Sequence, residues 1–138
     1  MIHTDCIDLG TKGDCDIVDI TLPLEQILSR SLMSHGLATV FVTGSTAGVT
    51  TIEYEPGLIK DLKEAWQRLV PQDIDYAHNQ AWGDGNGHSH VRASLVGASL
   101  VIPFHSKKLV LGTWQQVVLI DFDNRPRQRK LVVQLMGE

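Results

Sequence analysis

Residues 55–71 read Glu55-Pro-Gly-Leu-Ile-Lys-Asp-Leu-Lys-Glu-Ala-Trp-Gln-Arg-Leu-Val-Pro71, and they separate two strand-rich halves of the chain. Leu58, Ile59, Leu62, Ala65, Trp66 and Leu69 trace one helical face, while Lys60, Asp61, Lys63, Glu64, Gln67 and Arg68 take the other. Pro71 ends this helix. Trp66 falls inside the apolar stripe, so core packing is preferred to ligand stacking. Upstream, Ala38–Thr43 and Val49–Tyr54 are β-branched runs bent by the small residues 44–48. From Pro23, the spacing of Leu24, Ile27, Leu28 and Leu32 predicts an earlier helix that Gly36 stops. Residues 2–9 and 16–21 flank turn residues at 10–14 and read as a hairpin. Downstream, 90–97 makes a short helical turn, and 98–104, 108–112, 115–122 and 128–136 read as strands, with Asp123-Asn-Arg-Pro126 as a turn. Strands, two helices and more strands, without regular βαβ alternation, predict an α+β fold: mainly antiparallel sheet with two principal helices.

The chain has 138 residues, the size of one domain, and an apolar fraction of 43% with 20% charged residues, which is globular composition. Its formal charge is −4, and protonating the six histidines would reverse the sign to +2. A mildly acidic chain lacks the general field of a nucleic-acid binder, so nucleic acid is disfavoured as a partner. No apolar run reaches membrane-spanning length, and residues 1–10 do not resemble a secretion signal, so no membrane partner and a cytoplasmic location are expected. Cys6 and Cys15 lie on neighbouring predicted strands and read as structural thiols.

Chemistry concentrates in Tyr76-Ala-His-Asn-Gln-Ala-Trp-Gly-Asp-Gly-Asn-Gly-His-Ser-His-Val-Arg92, which holds His78, His88 and His90 with Asp84, Asn86 and Arg92. Gly83, Gly85 and Gly87 let its backbone approach a ligand closely. It is no Walker loop, for no Gly-Lys-Ser/Thr follows; no strand leads into it as in a dinucleotide fingerprint, and Leu95 stands where an EF-hand needs Glu. In an extended segment, His88 and His90 would point the same way and His78 could fold back as a third ligand. That predicts a three-histidine divalent-metal site with an open position; solvated loop histidines or phosphate contacts are the alternative. Thr43-Gly-Ser-Thr-Ala-Gly48 is either an anion-binding nest or a plain turn. Arg125-Pro-Arg-Gln-Arg-Lys130 is preferred as a solvated turn over a phosphate contact. His3, His35 and His105 read as surface or packing residues. No nucleophile elbow or Ser-His-Asp order appears, so covalent catalysis is not indicated.

Asp84-Gly-Asn-Gly-His-Ser-His-Val-Arg-Ala-Ser-Leu-Val-Gly-Ala-Ser99, then Pro103 and Leu111-Gly-Thr-Trp-Gln-Gln116, resemble the secondary thiamine-phosphate synthase family, also called the YjbQ family. The resemblance spans nearly the whole chain, including the Ser45-Thr-Ala-Gly48 turn and Val-Gln-Leu-Met-Gly-Glu138. It implies one YjbQ-like domain over residues 1–138, a homotrimer with ligand sites near subunit boundaries, and a phosphorylated small molecule as substrate. It also implies a polar site of His78, Asp84, Asn86 and His90, with Glu53 and Thr113-Trp114-Gln115 close by. The family's named reaction joins a pyrimidine diphosphate to a thiazole nitrogen with loss of pyrophosphate. Such chemistry asks for a diphosphate clamp, for which Arg92, Ser45, Thr46 and a divalent ion, Zn²⁺ or Mg²⁺, are the candidates. Gly44 stands where many members carry His and His88 where others carry Asp, so either His88 replaces a missing imidazole or the site has changed substrate. A non-catalytic trimer binding a metal or an anionic metabolite is the other class of function.

Overall fold

A computed structural model describes residues 1–138. In chain order the elements are β1 (Ile2–Thr11), β2 (Asp16–Asp19), α1 (Thr21–Arg30), β3 (His35–Val42), β4 (Ala47–Ile52) and α2 (Pro56–Leu69). There follow α3 (Ala77–Trp82), α4 (Gly87–Val96), β5 (Ser99–His105), β6 (Lys108–Leu109), β7 (Gln116–Asp121) and β8 (Arg127–Gly137). The strands form a five-stranded sheet in the order β1-β8-β3-β5-β6 and a three-stranded sheet in the order β2-β7-β4, with every pairing antiparallel. The α+β class holds, with four helices where periodicity gave two principal ones.

The sequence of β7 explains the layering. Val117-Val-Leu-Ile120 is apolar at every position, so both faces of the strand must be covered, and all four residues are buried. Val117 and Leu119 face one way and join Val49, the inner residues of the large sheet (Val40, Ile102, Leu131, Val133) and Leu24 and Leu28 of α1 in one cluster. Val118 and Ile120 face the other way, against Phe122, Ala93 of α4 and Ile59, Leu62 and Trp66 of α2. Trp66 packs edge-on to Phe122 at 5.1 Å between ring centroids, the packing role its place in the stripe implied. Three layers result, the large sheet, the small sheet and the helices α2 and α4, with α1 packed into the core that the two sheets share.

Several boundaries differ from the sequence reading for identifiable reasons. Residues 2–11 and 16–19 do not form a hairpin; β1 pairs with β8 in one sheet and β2 with β7 in the other. Pairing with distant strands buries Ile7 and Ile17 in separate clusters, which a local ribbon could not do. The first helix ends at Arg30, and Gly36 lies in β3 opposite Gly137, where a Cβ would collide with the Met136 carbonyl. Close strand approach, not helix termination, requires that glycine. The aperiodic stretch 72–87 contains α3, and α4 begins at Gly87. The strand at 108–112 shrinks to two residues. Cys6 is exposed and Cys15 buried, both unpaired.

Candidate functional site

β7 ends at Asp121 and the chain runs on through Phe122 to Asp123, and β8 returns through Arg127 and Arg129, two acids and two bases each spaced by two residues. Alternation in extended chain puts each pair on one side. Both carboxylates are fully buried. Asp121 accepts two hydrogen bonds from Arg129, from Nε at 2.7 Å and Nη2 at 2.9 Å, and one from the Thr11 hydroxyl. Asp123 accepts from Arg127 Nε at 2.7 Å, from the Thr46 hydroxyl at 3.0 Å and from Asn86 Nδ2 at 3.4 Å. Burial by itself would raise both carboxyl pKa values. The hydrogen bonds from Arg129 and Thr11 to Asp121, and those from Arg127, Asn124, Thr46 and Asn86 to Asp123, reverse that and hold both below the ordinary carboxylate range.

The two guanidinium groups stand in front of these acids, at the floor of a polar cleft of about 380 Å³ lined also by Gly44, Ser45, Thr46, His78, Trp82, Asp84, Asn86 and His90. Arg129 Nη1 takes part in none of the side chain's hydrogen bonds and lies 2.7 Å from where a Cβ on Gly44 would stand. The missing side chain at 44 therefore leaves a free N–H edge facing the cleft. Thr46 is fixed by Arg129 and Asp123, and its carbonyl accepts from Phe122 N, so the 43–48 bend is both a turn and a wall of the cleft.

His78 from α3 and His90 from α4 meet at the rim, with ring centroids 4.3 Å apart and planes tilted by 42°. His78 Nδ1 is buried without a hydrogen-bond partner, and Asp84 Oδ1 stands 4.0 Å away. Burial, then the neighbouring His78 ring, lowers the His90 pKa below the usual imidazole value, against the opposite pull of Asp123, Asp84 and the Ser45 backbone. Asn86 is buried, and its Oδ1 also lacks a partner.

His88 does not join this pair. Residues 88 and 90 belong to α4 rather than an extended segment, so their side chains diverge by about 200° around the axis. His88 is buried near Tyr76, hydrogen-bonded through Nε2 to the Ser89 hydroxyl at 3.3 Å, and burial followed by Arg92 lowers its pKa. The expected convergence of His78, His88 and His90 is thus absent, and no three His, Cys, Asp or Glu side chains of the chain are grouped to hold a metal ion. Arg92 also points elsewhere: its Nε and Nη2 donate to the Val70 carbonyl at 3.0 and 2.8 Å, tying α4 to the end of α2. Glu53 lies seven residues beyond Thr46 along β4, about 23 Å at roughly 3.3 Å per residue. Gln115 hydrogen-bonds Thr51 at that far end, and Thr113 and Trp114 precede it there.

Of the expected residues, then, Ser45, Thr46, His78, Asp84, Asn86 and His90 are brought together. The cleft adds Arg127 and Arg129, which the sequence reading assigned to a solvated turn, and Trp82. The matching two-residue spacings of acids ending β7 and bases opening β8 are the signal that would have found the ion pairs; a helix period for 87–96 would have removed His88.

The YjbQ family, described as UPF0047 protein YjbQ-like, matches residues 5–138. A UPF0047 protein of Archaeoglobus fulgidus is 35% identical over 130 residues, covering 94% of this chain and 98% of that one. The UPF0047 protein YugU of Bacillus subtilis is 31% identical, covering 92% and 93%. A solved structure of a YjbQ-like protein of unknown function from Sulfolobus solfataricus P2 superposes with a TM-score of 0.95 at 33% identity, covering 100% of this chain and 99% of that chain. Family, relatives and fold coincide over almost every residue of the two sheets and of the cleft between β7, β8, α3 and α4, and the chain belongs to the YjbQ-like UPF0047 family.

Proposed function

We propose that the cleft binds a phosphorylated small molecule and acts on it as an enzyme, most concretely in forming thiamine phosphate. The observation that carries this is Arg129: a buried guanidinium pinned by Asp121 on one edge, with its Nη1 edge free over Gly44. Carboxylates behind and N–H groups in front make a preorganised anion site. Arg127 and the Ser45-Thr46 wall extend it to the length of a diphosphate. In the proposed reaction the thiazole nitrogen attacks the pyrimidine methylene carbon, the bond from that carbon to oxygen breaks, and pyrophosphate leaves with the electron pair. The protein supplies charge stabilisation and positioning rather than a covalent bond.

A divalent ion fits this reading in two ways. Zn²⁺ would take the imidazoles of His78 and His90, which suit it as nitrogen donors, while Mg²⁺ would enter through phosphate oxygens and Asp84. Either would polarise the leaving diphosphate. The single chain offers too few ligands alone, and a homotrimer answers that. Glu53 and Thr113-Trp114-Gln115, remote from the cleft of their own chain, would then reach a neighbour's cleft at a subunit boundary.

Product formation from both phosphorylated precursors tests the enzyme reading, with His90→Ala and Arg127→Met as the variants and circular dichroism checking that each keeps its fold. Each variant is expected to lose at least about tenfold in rate, the scale of one lost transition-state contact. Equal trace rates in wild type and variants would sink the enzyme and leave a binding module. Elemental analysis of untagged protein checks the ion: about one per chain, lost in His78→Ala.

A further inference from the structure

Trp82 is the one apolar residue among the ten that line the cleft, and it is 78% exposed. An indole left in water beside arginines, imidazoles and carboxamides serves no core. Nor does it hang from a loose loop. It is the last residue of α3, which closes with Gly83 in the left-handed conformation donating to the Asn79 carbonyl at 2.9 Å. Asn79 Oδ1 accepts from Gly87 N at 2.8 Å, and the Asp84 carbonyl accepts from Asn124 Nδ2 at 2.7 Å. The backbone is therefore tied on both sides of the ring, to α4 and to the turn that carries the arginines.

We infer that Trp82 is a specificity-determining stacking platform, the residue on which the planar ring of the cleft's phosphorylated substrate lies. This rests on the phosphate reading of the same cleft. Stacking on indole needs a flat π-face and no particular hydrogen-bond pattern, so it selects a ring-bearing phosphate over an aliphatic one. Asn86 complements it. Its buried, unpartnered Oδ1 is an acceptor at the cleft wall, which suits a ligand that brings an N–H or O–H donor as well as an anion.

Calorimetric titration of the intact protein with inorganic pyrophosphate, glycerol phosphate and thiamine phosphate, on wild type, Trp82→Ala and Trp82→Phe, tests this. Wild type should bind thiamine phosphate on the order of tenfold more tightly than glycerol phosphate. Trp82→Ala should lose that difference while keeping pyrophosphate affinity within about twofold, and Trp82→Phe should retain most of it. No preference in wild type, or a preference surviving in Trp82→Ala, overturns the inference. So does a change in the oligomeric mass of Trp82→Ala by light scattering, which would make Trp82 a subunit contact. Failure of all three ligands to bind wild type would instead remove the phosphate reading on which the inference stands.

Discussion

At the scale of single residues, the cleft depends on buried charge and on one absent side chain. Arg129 is buried, so removing its counter-charge leaves an uncompensated guanidinium. Asp121→Ala should cost about 3–5 kcal/mol by urea denaturation, and a loss below about 1 kcal/mol would show that the pair carries no such weight. Because both carboxyls are held below their ordinary range, their contribution is present above about pH 4 and disappears as pH falls through the lowered folded values. His88 acts in a higher window. Its folded pKa is depressed, so the unfolded chain binds the proton first. Its stabilising share is full above about 6.5 and is lost as pH falls below that toward the folded value. His88→Gln should flatten the decline of the urea midpoint between pH 7 and 5.5, and an unchanged slope would place the coupling elsewhere. Gly44→Ala puts a methyl carbon 2.7 Å from Arg129 Nη1, too close for contact, and Asp121 prevents the guanidinium from swinging away. Inorganic phosphate affinity should fall about tenfold, one charge-assisted hydrogen bond, with about 1–3 kcal/mol of stability lost to the crowded guanidinium; unchanged affinity would detach Nη1 from the anion.

Among elements, the helical layer is the most lightly held. α2 is strongly amphipathic but has no fully buried residue, and only Ile59, Leu62 and Trp66 press partway into the second core. Arg92 of α4 compensates by donating to the Val70 carbonyl and to Gln67 Oε1, satisfying acceptors that the end of α2 would otherwise leave open. Arg92→Met should cost roughly 1.5–3 kcal/mol and raise hydrogen exchange selectively in α2. Uniform protection across the helix in that variant would show that the apolar contacts alone hold it. The residue expected in a phosphate clamp is thus a helix tie, because α4 turns position 92 away from the face carrying His90.

For the whole molecule, the outer face of the large sheet bears on the proposed trimer. Leu37 and Phe41 of β3, Val101 of β5 and Met136 of β8 are exposed, and the register places Leu37 beside Met136 and Thr39 beside Val101. One apolar surface over three adjacent strands is a face that the proposed trimer would bury. The proposed trimer should give roughly 46 kDa by light scattering, three chains of 15.3 kDa. Phe41→Glu should shift that toward the single-chain mass. A single-chain mass for wild type over a wide concentration range would rule the trimer out.

The amphipathic run 58–69, the β-branched strands and the dense polar segment 76–92 are local properties, written in period and composition, so the α+β class, α2 and most of the cleft's polar residues were legible in the chain alone. Strand partners were not. Whether β1 meets β2 or β8 turns on which pairing buries Ile7 and Ile17, and that is settled only among distant segments. The same holds for the histidines. His88 and His90 look equivalent by spacing, yet a helix beginning at Gly87, where any Cβ would strike Tyr76, sends one into the core and the other to the rim. Arg127 and Arg129 read as solvated charge until Asp121 and Asp123 face them across a turn. Residue type follows from sequence; which face a side chain takes, and what stands opposite, follows from packing.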